Sequence, residues 1–408
     1  MTDYEIRRIG PDEAGPVADT VRAALLGGAI SDEDAEWGRQ TWAEGRFLAA
    51  FEGDRCIGHV GSFDGDSTVP GGARLRTAGV TRVGVLPTHT RRGLLTTLMT
   101  RLLDQEHEAG SVVATLWASE TAIYGRFGFG HASNTQSIAI DAAAARPLSS
   151  APIGSTRLLD RSELDDVVPA LYDRVARWRP GSMSRQAWMW DRSLKAAREP
   201  ASRNTSPGAY VAVHSDARGV DDGYVHYEVS WTPRRAGKIV GTGTVHDLWA
   251  ADARTETELW RYLLGIDLVA TWHGEAQPVD EATRHVLADG RAYGITQRFD
   301  ELWLRILDVD AALSARRYGP ANESVVIGVA DERFAANTGA WRISASGATR
   351  ADAEPDVVVD IATLSATYLG GMPWSELRDA GIVSADAPVV LLDALFVEHP
   401  GPYCGTEF

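Results

Sequence analysis

The segment Val83-Gly84-Val85-Leu86-Pro87-Thr88-His89-Thr90-Arg91-Arg92-Gly93-Leu94-Leu95 leaves the backbone few options. An extended run opening near Leu75 carries alternating apolar residues around Val83 and Val85, and Pro87, which cannot donate to a ladder, ends it. Beyond Gly93 the residues Leu94, Leu95, Leu98, Met99, Leu102 and Leu103 recur at helical spacing to about Glu108, with Gly110 as the stop. A strand, a basic glycine turn and a long amphipathic helix therefore follow one another. Such a junction leaves backbone N–H groups exposed at the positive end of a helix dipole, which makes an anion cradle. Diphosphate is the natural guest, because Gly93 permits close backbone approach and Arg91 and Arg92 bring charge to the mouth. An ordinary strand-to-helix turn with solvated arginines is the alternative for this window taken alone. It is neither a P-loop, which ends Gly-Lys-Ser/Thr, nor a Rossmann fingerprint.

The flanking text reads as one α+β unit. Residues 47–51 and 56–61 form a hairpin pattern around Glu52-Gly53-Asp54-Arg55, and 112–118 reads as a buried strand. After it comes Ile123-Tyr124-Gly125-Arg126-Phe127-Gly128-Phe129-Gly130. A tyrosine at the end of a short helix beside a strand can project its hydroxyl into a cleft, and a phenol can protonate a departing thiolate. Tyr124 is that candidate, although an aromatic-glycine cluster also serves plain packing. Residues 141–155, rich in alanine, proline and serine, suit a linker, so a boundary is expected near 150.

The middle region predicts helices over 162–178 and 184–197, a strand over 209–214, a hairpin of 223–231 with 238–248, and an amphipathic helix over 256–270. The order echoes the first unit, but no basic glycine turn precedes this helix. From 297 the pattern changes again: a strand at 301–307, a helix at 309–315, a meander of short strands, then helices near 361–368 and 393–396. Three domains are expected, at 1–150, 151–296 and 297–408.

Composition narrows the function classes. With 408 residues and 44% apolar content the chain can bury large cores. A net charge of −16 opposes nucleic acid and anionic lipid and favours cationic small molecules. Two cysteines, Cys56 and Cys404, cannot build a disulfide framework or a four-cysteine zinc site, and no His-Glu-x-x-His occurs, so no metal is expected. The first residues lack an apolar signal core and no later stretch is long enough to span a bilayer, which points to a cytoplasmic protein without membrane contact.

Together the turn at Thr90-Arg91-Arg92-Gly93-Leu94-Leu95 and the Tyr124-to-Phe129 segment resemble the GNAT acetyltransferase superfamily. More closely, the whole chain resembles the enhanced intracellular survival (Eis) family of acetyltransferases. The resemblance rests on Leu86 to Leu95, on Ala118 to Gly130, on Leu302-Trp303-Leu304-Arg305-Ile306, on Tyr368-Leu369-Gly370-Gly371 and on the ending Glu407-Phe408. It implies two tandem GNAT-like domains, the second lacking the cofactor loop, then a sterol-carrier-protein-like domain, assembled as a homohexamer. The co-substrate would be acetyl-CoA. Val83 and Val85 would hold its pantetheine arm, while Arg91, Arg92, Gly93, Leu94 and Leu95 would bind its diphosphate through their amides. Ser119 and Tyr124 would sit near the thioester. The general base implied is the free α-carboxylate of Phe408, with Glu407 beside the substrate.

A terminal carboxylate has an ordinary pKa of ~3.5 and needs burial to work on an amine, and an aromatic last residue can anchor it in an apolar wall. Trp37, next to Asp32-Glu33-Asp34-Glu36, is the candidate for stacking on a cationic substrate. The reaction expected is direct N-acetylation of aminoglycoside-like or polyamine-like amines in a ternary complex. The rival is a non-catalytic binding protein that holds a lipid-like ligand in the C-terminal domain.

Overall fold

The computed structural model describes residues 4–28, 42, 45–146, 152–199, 208–235 and 238–408. They form two compact units, one of residues 1–132, 302–398 and 407–408, the other of 133–301 and 399–406.

In the first unit a seven-stranded sheet runs in the order Glu5–Arg8, Gly45–Glu52, Arg55–Thr68, Arg74–Val85, Val113–Trp117, Leu302–Ile306, Gly130–His131. The first four strands are an antiparallel meander, in which the hairpin pattern and the alternating run predict the last three and Glu5–Arg8 is added at the edge. Val113–Trp117 then pairs parallel to Arg74–Val85, which requires the crossover supplied by the helix Leu94–Glu108. That helix buries Leu94, Leu98, Met99, Leu102 and Leu103 against Ile57, Val60, Val80 and Leu116. Its last turn is fastened by Glu106, fully buried, which accepts from Arg46 at 2.6 Å on each oxygen and from Ser62 at 2.5 Å and Ser111 at 3.1 Å. The same unit carries a four-stranded sheet, Gly347–Arg350, Gly339–Ser344, Val325–Ala330, Val357–Asp360, with the helices Val309–Ala315, Ile361–Thr367, Trp374–Asp379 and Val389–Phe396.

The second unit holds a seven-stranded sheet in the order Tyr293–Asp300, Asn134–Asp141, Val269–Pro278, Lys238–Ala250, Asp221–Arg235, Gly208–Ser215, Ser155–Leu158, with Leu164–Val175 and Ala253–Leu264 among its helices.

The sheets do not part at the expected boundaries of 150 and 296. Asn134–Asp141, expected to close the first domain, pairs with Val269–Pro278 and Tyr293–Asp300 in the second sheet. Leu302–Ile306, expected in the third domain, pairs with Val113–Trp117 and Gly130–His131 in the first. Alternation shows that a strand has a buried face but not which ladder it completes. The helix expected over 256–270 stops at Leu264: Gly265 caps it, Leu268 takes a left-handed φ of 70°, and Val269 opens a strand the helical spacing concealed. No helix among the described residues is long and apolar enough to cross a membrane.

One irregularity shapes the first sheet. Between the pairs His59↔Gly84 and Gly61↔Thr81, two residues, Arg82 and Val83, face the single residue Val60, and Arg82 sits at φ 52°. This bulge is held by His59, fully buried, whose Nδ1–H donates to the Arg82 carbonyl at 2.6 Å. The imidazole stacks on Trp42 at 4.8 Å and on Phe47 at 5.7 Å, and the Arg82 guanidinium lies over the same two rings.

Burial lowers the His59 pKa from 6.5 to about 3, so the fold keeps the ring neutral while an unfolded chain would protonate it. The unfolded state binds the extra proton, and stability contributed by this residue is present above pH 6.5 and lost as pH falls toward about 3. Each such histidine adds a slope of about 1.4 kcal/mol per pH unit, and His226, lowered to about 4, is a second. Urea unfolding between pH 7 and pH 4 should show that slope, and His59→Gln should remove one proton's share. An unchanged slope in the variant would contradict this account.

Candidate functional site

The parallel strands Arg74–Val85 and Val113–Trp117 are bonded only at Thr77↔Val113, Ala78↔Ala114 and Gly79↔Thr115. Beyond these pairs they separate, one edge of the bulged strand losing its partner. Leu86 N–H turns to the Ile57 carbonyl at 2.9 Å, so by strand alternation the Val85 N–H points to the opposite edge, into the gap. Val83 and Val85 are half-buried along this edge.

The strand leads into the basic turn. Pro87–His89 is a single 3-10 turn, and Arg91 at φ 61° and Gly93 at φ 78° are both left-handed, which turns the chain sharply into the helix. The buried His89 pins the turn through Thr88 Oγ1 at 2.8 Å and Glu52 at 3.4 Å, and Arg92 donates to the Thr88 carbonyl at 3.0 Å. The first bond of the helix runs from Thr97 N–H to the Gly93 carbonyl, so the N–H groups of Leu94, Leu95 and Thr96 precede the ladder, and no side chain caps them. Arg91, Arg92 and Gly93 are exposed, Leu95 is half-buried, and Leu94 drops into the core. A Cβ placed on Gly93 would meet nothing within 4 Å, so the space over these amides is open to an incoming anion.

Tyr124 closes a one-turn helix, Thr121–Tyr124, just past the other parted strand. It is 3% exposed and packs edge-on against Phe129 with ring centres 6.0 Å apart. Burial raises its pKa, with the hydrogen bond from the exposed Ser119 pulling the other way, so the phenol carries its proton at neutral pH and has one to give.

Glu407 is exposed and Phe408 half-buried, and both belong to the compact unit that contains Tyr124. The one substrate candidate from sequence not placed is Trp37, which, with the acidic run 32–36, lies outside the described residues. Among the described residues no group of three or more His, Cys, Asp or Glu is arranged to hold a metal ion. Sequence reading missed His59 and the bulge at Arg82, because the histidine acts on the backbone of a neighbouring strand and not on its own.

The corresponding junction of the second unit has opposite chemistry. There the helix Ala253–Leu264 is capped by Asp252, whose carboxylate accepts from Thr255 N–H at 2.8 Å and occupies the position an anion would take.

Comparison with known proteins accords with this geometry. Residues 5–132 and 181–306 each match an acetyltransferase (GNAT) domain model, and 309–405 match a sterol carrier protein domain. A Streptomyces avermitilis protein described as an uncharacterized N-acetyltransferase is 35% identical over 96% of this chain and 95% of its own length. The N-acetyltransferase Eis of Mycobacterium tuberculosis is 34% identical over 87% of each chain. The crystal structure of Eis1 from Mycobacterium abscessus superposes with a TM-score of 0.87 at 35% identity, covering 99% of this chain and all of the other. A GCN5-related N-acetyltransferase from Anabaena variabilis shares the fold at a TM-score of 0.82 and 16% identity. Likeness along the full length, joined to an uncapped basic turn and a buried protonated tyrosine, identifies an enzyme and not merely a binding protein: the chain belongs to the Eis family of GNAT N-acetyltransferases.

Proposed function

We propose that this enzyme transfers the acetyl group of acetyl-CoA to primary amines of cationic small molecules, aminoglycoside-like or polyamine-like, by direct transfer in a ternary complex. The observation that carries the reading is the pairing, in one unit, of the uncapped helix start after the Arg91-Arg92-Gly93 turn with the buried Tyr124. The amides of Arg91, Arg92, Gly93, Leu94 and Leu95 take the diphosphate, and the free edge at Val83 and Val85 takes the amide-bearing pantetheine arm as a strand would.

A neutral amine attacks the thioester carbon. The Val85 N–H donates to the carbonyl oxygen as charge gathers on it, a stabilisation of about 3–4 kcal/mol in comparable sites. The C–N bond forms, the C–S bond breaks, and Tyr124 gives its proton to the sulfur with Ser119 beside it. The α-carboxylate of Phe408, directly or through water, removes the amine proton, with Glu407 and Trp37 as acceptor-binding residues. The net charge of −16 supports a cationic acceptor through long-range attraction. The homohexamer belongs to the same reading and rests on the family resemblance, and the cytoplasmic setting rests on the sparse cysteine content.

Acetyl-CoA mixed with a panel of amines should release CoA thiol and add one acetyl mass per modified amine, and no release above background with any amine would overturn the proposal. Tyr124→Phe should lower kcat by about 10²–10³ while the Kd for acetyl-CoA stays within about twofold; a large loss of affinity instead would make the tyrosine structural. Raising ionic strength should depress kcat/KM for a polyamine more than for a monoamine, as screening removes long-range attraction, and equal effects would argue against electrostatic selection.

A further inference from the structure

The second unit has the parted strands of the first but not its anion cradle, which leaves its function open. Lys238–Ala250 and Val269–Pro278 pair in parallel from Gly241↔Val269 to Val245↔Gly274 and then separate, as Arg74–Val85 and Val113–Trp117 do. Residues 399–406 of the chain itself belong to this unit, and Tyr403 comes to the opening. Tyr403 lies against Trp249 with ring centres 5.3 Å apart, in a space also lined by Leu248 and Pro278, one from each parted strand.

The segment's backbone is held mainly by side chains of the same unit. Gly401 N–H donates to Asp280 at 2.8 Å, and Tyr403 N–H to the Pro180 carbonyl at 2.8 Å. Cys404 N–H reaches both oxygens of Glu301 at 3.1 Å, and Gly405 N–H reaches one at 2.9 Å. Arg185 donates from Nη2 to the Gly405 carbonyl at 2.8 Å and from Nε to Thr406 Oγ1 at 2.9 Å, while Nη1 and Nη2 both bond Asp247 on a parted strand. Glu301 and Arg185 are both buried, and Glu301 is completed by the Ser133 hydroxyl at 2.8 Å. Gly405 is left-handed at φ 58°, and a Cβ there would come within 2.7 Å of Tyr403 and 2.8 Å of Trp249, so the fit is close.

We infer that the second acetyltransferase fold is a receptor for the chain's own residues 399–406, and that Glu301 and Arg185 are positioning residues that fix where Glu407 and Phe408 emerge. The inference rests on the reading of Phe408 as general base for its catalytic consequence, not for the docking itself. One carboxylate accepting two successive N–H groups and one guanidinium donating to the next carbonyl and hydroxyl leave the segment little freedom to slide, and a base displaced by about 1 Å loses about 10²-fold in rate.

Hydrogen exchange of the peptide 399–408 and steady-state kinetics test it on the full-length enzyme. Glu301→Ala should speed exchange of that peptide at least about tenfold and lower kcat at least about tenfold, with KM for acetyl-CoA within about twofold. Glu301→Gln should restore both, since its amide oxygen still accepts from Cys404 and Gly405 while its NH2 meets Ser133. Thr406→Val, a small change in the segment itself, should move both readouts in the direction of Glu301→Ala and keeps the comparison available if that variant does not fold. Unchanged exchange in Glu301→Ala or, failing that, in Thr406→Val overturns the docking. Faster exchange with undiminished kcat, in an enzyme that deletion of Phe408 inactivates, overturns the positioning role while sparing the base. If deletion of Phe408 leaves kcat intact, the base reading falls, and exchange alone then decides the docking.

Discussion

Both large sheets depend on a pair of parallel strands that start together and then come apart. In the first, three pairs from Thr77↔Val113 to Gly79↔Thr115 are made before the edges separate. In the second, separation follows Val245↔Gly274. Backbone groups stripped of a ladder partner in a protein interior cost about 1–3 kcal/mol each unless something else bonds them. A sheet opened in this way therefore demands an occupant, and the rest of each unit decides its chemistry. The buried neutral His59 belongs to this logic, because by bonding the Arg82 carbonyl it holds a left-handed residue that a non-glycine side chain would otherwise resist.

The two openings differ in charge at the helix that follows. At Gly93 the helix begins with its amides bare and two arginines alongside, a field that attracts an anion. At Asp252 a carboxylate already satisfies the first turn, so an anionic carrier meets repulsion instead of donors. One residue type at one helix start thus separates an uncapped terminus from a closed one. Beside the second opening lies the neutral backbone of residues 401–405, bonded by Glu301 and by Arg185. Glycine at 405 admits that backbone between Tyr403 and Trp249 where any side chain would collide.

Much of this was legible in the chain. The run from Val83 to Leu103 fixed a strand, a turn and a helix because proline, glycine and helical leucine spacing each permit one conformation there, and Leu94–Glu108 ends where Gly110 required. Tyr124 could be singled out because a tyrosine ending a short helix after a buried strand can turn its hydroxyl into a cleft, and because the text from Ala118 to Gly130 resembles the Eis family. The helix expected to continue to 270 failed because Val269 satisfies helical spacing and strand alternation equally well. His59, Arg185 and Glu301 gave no local signal, since each acts on backbone far away in sequence.

By itself the sequence determined most of the local elements, the basic turn and the tyrosine that follows the buried strand, each encoded in contiguous residues whose physics is short-range, and motifs spread along the chain carried the family. Tertiary structure alone decided that Leu302–Ile306 completes the first sheet and Asn134–Asp141 the second, and that residues 399–406 join the second unit. Those outcomes turn on which unpaired edge lies within hydrogen-bond reach of which, a property of three-dimensional proximity that no window of residues contains.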